Sequence, residues 1–265
     1  VEALRIERDG DVLRVTLARP GTRNAFDAAL ISALAEAFVD VGKARAVVLA
    51  GDGPSFCAGA DIEWMRASAG LSHDENVADA NAMRRMLDAI DTCPAPVIAV
   101  VRGHALGGGA GLVAVSDIAI AHERTAFAFS EVKLGIVPAV ISPYVLRKVG
   151  ESAARRYFVT GERFDAATAL RIGLVHEVSD RPETVLEQIV DELRTAAPRA
   201  ARHAKRLVLD RPDGPETARR IAERRTSPEG QEGLRAFSEG RVPGQPGFAS
   251  WSPPAAPAED EDAPG

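Results

Sequence analysis

The sequence predicts an α/β fold, a spiral of repeated strand-strand-helix turns followed by a helical C-terminal part, and three observations carry that prediction. Short buried apolar strands return along the first half, each followed by a glycine-bearing loop that opens a helix. After residue 139 the apolar pattern becomes almost purely helical. The chain of 265 residues is also long enough to bury a large core without help from disulfides or metals.

Residues 3–8 and 12–17 alternate apolar and polar around Asp9-Gly10-Asp11, the signature of a hairpin. After the Pro20-Gly21 break, Asp27 stands as an N-cap before Leu30, Ile31, Leu34, Ala35 and Phe38, an amphipathic helix ending near Gly42. A buried strand at 46–50 is closed by Gly51-Asp52-Gly53-Pro54. The second turn has a loop at 55–59, helices over 60–67 and 74–91, and a buried strand at 96–101. The third has the glycine loop 103–111, a short helix through Val115, and strands at 117–121 and 126–129. Helices then follow at 139–149, 151–160, 165–172, 183–196, 199–209, 215–225 and 229–239, with one strand at 174–178. No strict solenoid repeat accompanies these turns. The core is drawn at 1–195 and the C-terminal helical part at 196–251. The tail 252–265, made of proline, alanine and acid, buries too little surface to order and is expected to be disordered.

Composition narrows the function. With 46% hydrophobic and 26% charged residues the chain is of ordinary globular type. Four acids of the tail, Glu259, Asp260, Glu261 and Asp262, account for most of the net charge of -6, so the rest carries only -2 and has no broad basic field for nucleic acid. No apolar stretch approaches the roughly 20 residues of a membrane helix, and the first residues lack a signal-peptide pattern. Two cysteines, Cys57 and Cys93, are too few for a disulfide framework. A cytoplasmic, membrane-free setting is expected.

Three segments carry chemistry. Ser55-Phe56-Cys57-Ala58-Gly59-Ala60-Asp61-Ile62 leaves a buried strand and opens a helix, where unpaired N–H groups can face an anion or a developing oxyanion; a plain turn is the alternative. Arg102-Gly103-His104-Ala105-Leu106-Gly107-Gly108-Gly109-Ala110-Gly111 repeats that placement, and consecutive glycines cost about 0.5 to 1 kcal/mol each relative to alanine. Close backbone approach to a ligand competes there with tight helix packing. The segment lacks the Lys and Ser/Thr of a phosphate loop and the glycine spacing of a dinucleotide site. Two such donors converging on one point would make an oxyanion hole. Third, Glu131 sits among Phe127, Phe129, Val132, Ile136 and Val137, neighbours that would raise its pKa toward neutrality and suit it to move a proton. Its competing role is as a helix N-terminal acid or a partner of Lys133. No His/Asp/Glu cluster has metal-ligand spacing, and no nucleophile elbow is visible.

Taken together, Pro20-x-x-x-Asn24-Ala25-Phe26, Phe56-Cys57-Ala58-Gly59-Ala60-Asp61-Ile62, Gly103-x-Ala105-Leu106-Gly107-Gly108-Gly109, Asp117-Ile118 and Glu131-x-x-Leu134-Gly135-Ile136-x-Pro138 resemble the enoyl-CoA hydratase/isomerase, or crotonase, family. The similarity runs from about residue 3 to Trp251 and includes Gly161-Glu162-x-Phe164-x-Ala166-x-x-Ala169 and Gly173-Leu174-Val175. The resemblance implies a crotonase-like spiral of ββα turns, with C-terminal helices that close the site and mediate homotrimers or homohexamers. It implies an acyl-CoA thioester substrate and no separate cofactor, CoA being part of the substrate. Ala60 and Gly108 match the oxyanion-hole positions and Glu131 the second catalytic glutamate. Substrate contacts are implied at Asn24, Ala25, Phe26, Ala58, Asp61, Ile62, Gly107, Gly111 and Ser130, with pantetheine and adenine held by 24–26 and 58–62.

One position departs from the family. Its first glutamate is here Gly111, and Ser130, Ser142, His104 or a substrate carboxylate stand as candidate helpers. The stretch from Phe127 to Val145 resembles bacterial methylglutaconyl-CoA hydratases most. The expected activity is therefore hydration of a branched or carboxylated 2-enoyl-CoA, with a one-glutamate enoyl-CoA isomerase, or a CoA-ester-binding protein without turnover, as alternatives.

Overall fold

A computed structural model describes residues 3–241. The described chain forms two compact units, one through Val190 and one from Asp191 onward. The expected disordered tail lies outside the described residues.

In the first unit, β1 (Leu4–Asp9) and β2 (Val12–Leu17) form the expected hairpin, turning at Gly10, whose positive φ of 59° suits the tight reversal. Helix α1 (Ala28–Ala37) is capped by Asp27, whose carboxylate accepts from Leu30 N, and it buries Leu30, Ile31 and Leu34. β3 (Ala46–Gly51) follows, then α2 (Ile62–Ser68), α3 (His73–Asp91), β4 (Val97–Val101), β5 (His104–Leu106), α4 (Gly108–Val115), β6 (Ile118–His122) and β7 (Ala126–Ala128). A 3-10 turn, Glu131–Leu134, leads into α5 (Ser142–Thr160), β8 (Phe164–Asp165), α6 (Ala166–Arg171), β9 (Glu177–Ser179) and α7 (Pro182–Thr195).

The sheet topology explains the spiral. Six strands run in the order β1-β2-β3-β4-β6-β9, and β5-β7-β8 form a second, smaller sheet. Two successive turns of the chain give one strand to each sheet: β4 then β5, and β6 then β7. The turn before them supplies β3 and an isolated bridge between Cys57 and Ala105 in place of a full second strand. All pairings from β2 to β9 in the larger sheet are parallel, with Val48 beside Ile98 and Ile98 beside Ile118. Helices cover the strands, so β4 is apolar throughout and buried at every residue.

The element boundaries depart from the sequence pattern in a few places. Leu174 and Val175 do not open a strand: their N–H groups bond Ala169 O after the Gly173 turn and their side chains enter the core, so β9 begins at Glu177. The helix expected from residue 139 starts at Ser142, where Pro143 fits the first turn. α5 changes direction at Gly150, φ 75°, the boundary between the two helices read there. Strand β5 and the two-residue β8 carried too short an alternation to be read.

The second unit holds α8 (Pro198–Asp210), α9 (Gly214–Thr226) and α10 (Pro228–Ser238), as the periodicity indicated. Within it Glu229 accepts from the N–H groups of Arg199 and Ala200, both at 3.0 Å, at the start of α8.

Candidate active site

The site begins with two strand ends that meet. Phe26 forms a parallel bridge with Ala60: its N–H donates to Gly59 O at 2.7 Å and its carbonyl accepts from Asp61 N at 2.8 Å. Those bonds use the groups on either side of Ala60 and turn Ala60's own N–H away, with no acceptor among the described residues. Gly108 is the first residue of α4, where an N–H has no intrahelical partner, and the side chain that might cap it is absent because the N-cap is Gly107. Both residues line one cleft of about 320 Å³. Its other walls come from α2 through Trp64 and Met65, from α3 through Asn76, Asp79 and Met83, and from the strip 136–141.

Glu131 enters this cleft from the 3-10 turn after β7. Its Oε1 packs on Gly107, where a Cβ would lie 3.2 Å away, and Gly107 has φ 51°; a side chain there would be both strained and in the way. Oε2 is buried with no hydrogen-bond partner among the described residues. Burial pushes the Glu131 carboxyl above its ordinary value, opposed in part by its own backbone N–H. A carboxylate with one free oxygen, half-buried beside two unpaired N–H groups, is equipped to move a proton next to a carbonyl whose charge those N–H groups can take up.

The source of that desolvation differs from the sequence expectation. Phe127 and Phe129 are fully buried behind the site, stacked on Phe164 at 5.7 Å and edge-on to Phe158 at 5.1 Å. Val132 packs over Gly161. Only Ile136 and Val137 of the expected neighbours share the cleft, and both are more than half exposed at its rim, as is Leu134.

Phe26, Ala58, Ala60, Gly107, Gly108, Ser130 and Glu131 are thus brought together around one space. Asn24, Ala25, Asp61, Ile62 and Gly111 are not among the residues lining it. Asn24 is buried and staples two loops: Oδ1 accepts from Arg19 N at 2.9 Å, and Nδ2 donates to Asp52 O at 2.9 Å and Ser55 O at 2.8 Å. Ala25 is buried and its carbonyl accepts from Arg19 Nη1. Asp61 caps α2, accepting from Glu63 N, and Ile62 is exposed outside the cleft. Gly111 lies behind the wall, with Ile141 between it and the cavity: a Cβ at 111 would be 2.5 Å from Ile141 Cγ2.

Trp64, Met65, Asn76, Asp79 and Met83 also line the cleft and were not among the residues expected there. A signal existed for α3, since Asn76, Asp79, Ala80 and Met83 recur at i, i+3, i+4 and i+7, one helical face. Nothing local distinguished that face from a core stripe.

Comparison with known proteins decides the family. A sequence profile described as "Enoyl-CoA hydratase/isomerase" matches residues 7–244. The chain belongs to the enoyl-CoA hydratase/isomerase family. A crystal structure titled as an enoyl-CoA hydratase from Shewanella pealeana is 41% identical, with a TM-score of 0.88, over 92% of this chain and 96% of that one. AtuE of Pseudomonas aeruginosa is 38% identical with a TM-score of 0.87, over 91% and 98% of the two chains. The cyclohexa-1,5-dienecarbonyl-CoA hydratase of Thauera aromatica is 32% identical, over 89% of this chain and 93% of its own. The crotonase fold expected from the sequence is the fold of these family members. No described helix is long and apolar enough to cross a membrane.

Proposed function

We propose that this family member is an enoyl-CoA hydratase that adds water across the 2,3 double bond of a 2-enoyl-CoA thioester, with Glu131 as its acid/base. The observation that carries the reading is the free, buried Oε2 of Glu131 in the same cleft as the unpaired N–H groups of Ala60 and Gly108. The thioester carbonyl accepts from those two N–H groups. Glu131 takes a proton from water as the water oxygen bonds to Cβ; the π pair of the double bond moves toward the thioester, and its charge rests on the carbonyl oxygen. The neutral carboxyl then returns a proton to Cα, so the net addition is one water. Removing a donor from such a hole costs about 2.7 to 4 kcal/mol of barrier.

The walls bear on the acyl group. Among the described residues the cleft carries two carboxylates, Glu131 and Asp79, and no Lys, Arg or His. Of the branched and carboxylated esters that the sequence suggests, the branched uncharged ones fit better, because a substrate carboxylate would enter without a cation to meet it. An enoyl-CoA isomerase with the same three groups is the second reading, favoured by Gly111 and Ile141, which leave the family's first glutamate position without an acid. There Glu131 would remove a proton at C2 of a 3-enoyl ester and return one at C4.

Absorbance of the conjugated enoyl thioester separates these readings. Its loss from crotonyl-CoA or 3-methylcrotonyl-CoA, with a hydroxyacyl product, is the expected result, with slower loss from 3-methylglutaconyl-CoA. Its growth from a 3-enoyl-CoA alone would make the protein an isomerase. Silence with every ester, together with retained CoA-ester affinity, would leave a binding role. The trimer or paired trimers implied by the resemblance is checked by light scattering of the same sample.

A further inference from the structure

We infer that Ser130 is a second catalytic residue, its hydroxyl holding the attacking water together with Glu131 Oε2. The inference rests on the hydratase reading above and names the group that works beside Glu131. With Gly111 sealed behind Ile141, nothing at that position reaches the cleft, so a second polar group must come from elsewhere. The candidates separate by their bonds. His104 is engaged through Nδ1 with Ser55 Oγ at 3.1 Å and does not line the cleft. Ser142 is also outside it and spends its hydroxyl on Ala139 O at 2.8 Å. Inside the cleft, Ser68 donates to Met65 O at 2.8 Å, and the Asn76 amide nitrogen is divided among the carbonyls of Ser68, Leu71 and Ser72.

Ser130 alone among the described cleft hydroxyls has no side-chain partner. It stands at the N-cap of the turn Glu131–Leu134, where a serine usually accepts from a backbone N–H two or three residues on. It makes no such bond; only its carbonyl is used, by Lys133 N at 3.0 Å. A polar side chain that forgoes its local bond, lines the cavity and adjoins the acid in sequence can donate to, or accept from, a water shared with Glu131 Oε2. Two contacts orient that water toward Cβ better than one, and loss of orientation alone can cost about 100-fold.

The test compares full-length wild type with Ser130→Ala and Ser130→Thr on crotonyl-CoA. Ser130→Ala should lose about 10- to 100-fold in kcat with KM within about twofold and an unchanged melting temperature, whereas Ser130→Thr should restore most of the rate. Ser130→Gly, which also removes the hydroxyl, should match the alanine variant and covers a fold defect peculiar to either. A Ser130→Ala protein with wild-type kcat, or one that changes only KM, overturns the role of the serine while leaving hydration by Glu131 standing. A threonine variant as slow as the alanine one overturns it too. A wild type that hydrates no 2-enoyl ester overturns the reading beneath it, and the role of Ser130 in it.

Discussion

Replacing Gly111 by glutamate restores the residue type that the two-glutamate pattern places there, and from the sequence alone the change should raise hydration of simple enoyl esters. The structure predicts the opposite for the single variant. A Cβ at 111 would lie 2.5 Å from Ile141 Cγ2 and 3.2 Å from Ile141 Cβ, with Leu87 Cδ2 at 3.9 Å. Comfortable carbon contacts are about 3.5 to 4.0 Å, so one side must move by about 1 Å. Ile141 is 2% exposed and immediately precedes α5, which leaves it little room to withdraw. Overpacking of this kind costs about 1 to 3 kcal/mol. For a chain of this size that lowers the melting temperature by about 2 to 12 °C. Desolvating the new carboxylate adds to the loss. Gly111→Glu should therefore melt earlier and hydrate crotonyl-CoA no faster than wild type. Adding Ile141→Ala removes the obstructing Cγ2 and opens residue 111 to the cleft; the double variant should recover part of the melting temperature and gain rate. Thermal melts and loss of enoyl absorbance read both effects. A single Gly111→Glu protein that melts as wild type and hydrates faster would refute the steric argument.

Other outcomes follow from the same geometry. Glu131→Gln should lower turnover by about 10²- to 10⁴-fold while leaving CoA-ester affinity, measured by calorimetry, nearly unchanged. The same variant tests the pKa: because burial raises the folded carboxyl above its unfolded value, its contribution to stability is greatest below that unfolded value and is lost as pH rises through the folded one. Glu131→Gln should thus melt above wild type at neutral pH, with the difference shrinking in acid; a constant difference across pH would contradict the shift. Asn24→Ala leaves Arg19 N, Asp52 O and Ser55 O without their side-chain partner. Only the bond to Ser55 O is fully buried; at about 1 to 3 kcal/mol for a buried group so stranded and less for the two part-buried ones, denaturant unfolding should show a loss of about 2 to 4 kcal/mol. Cys57 is buried and its thiol is pushed up to about 12, so a thiol-specific dye at mild alkaline pH should label it only after unfolding; rapid labelling of the native protein would contradict that burial.

Much of the fold was legible because its signals are local. The hairpin at Asp9-Gly10-Asp11, the Asp27 cap and the apolar runs of β3 and β4 each depend on neighbours in sequence. The failures have a common cause in the third dimension. Leu174 and Val175 read as a strand because they are apolar, yet the sheet does not reach them and they fill the core from a turn. Asn24 read as a ligand contact because the Asn24-Ala25-Phe26 motif resembles the family's; its three bonds are to main-chain groups up to 31 residues away, which no local pattern displays.

The glycine loop shows the same limit at the site itself. Its cost relative to alanine could be counted from the sequence, but the choice between ligand approach and tight packing could not, because each glycine answers to a different distant neighbour. A Cβ at Gly107 would crowd Glu131 Oε1; at Gly108 it would lie 2.5 Å from Met83 Cε, at Gly109 2.3 Å from Cys57 O, and at Gly111 2.5 Å from Ile141 Cγ2. Packing accounts for the missing side chains at 108, 109 and 111. It also sets where α4 begins, and a helix that begins against its neighbours with a glycine N-cap leaves the N–H of Gly108 bare toward the cleft. The two explanations are therefore one arrangement: close packing of α4 on Phe26, Met83 and Cys57 is what holds the exposed donor in place beside the carboxylate of Glu131.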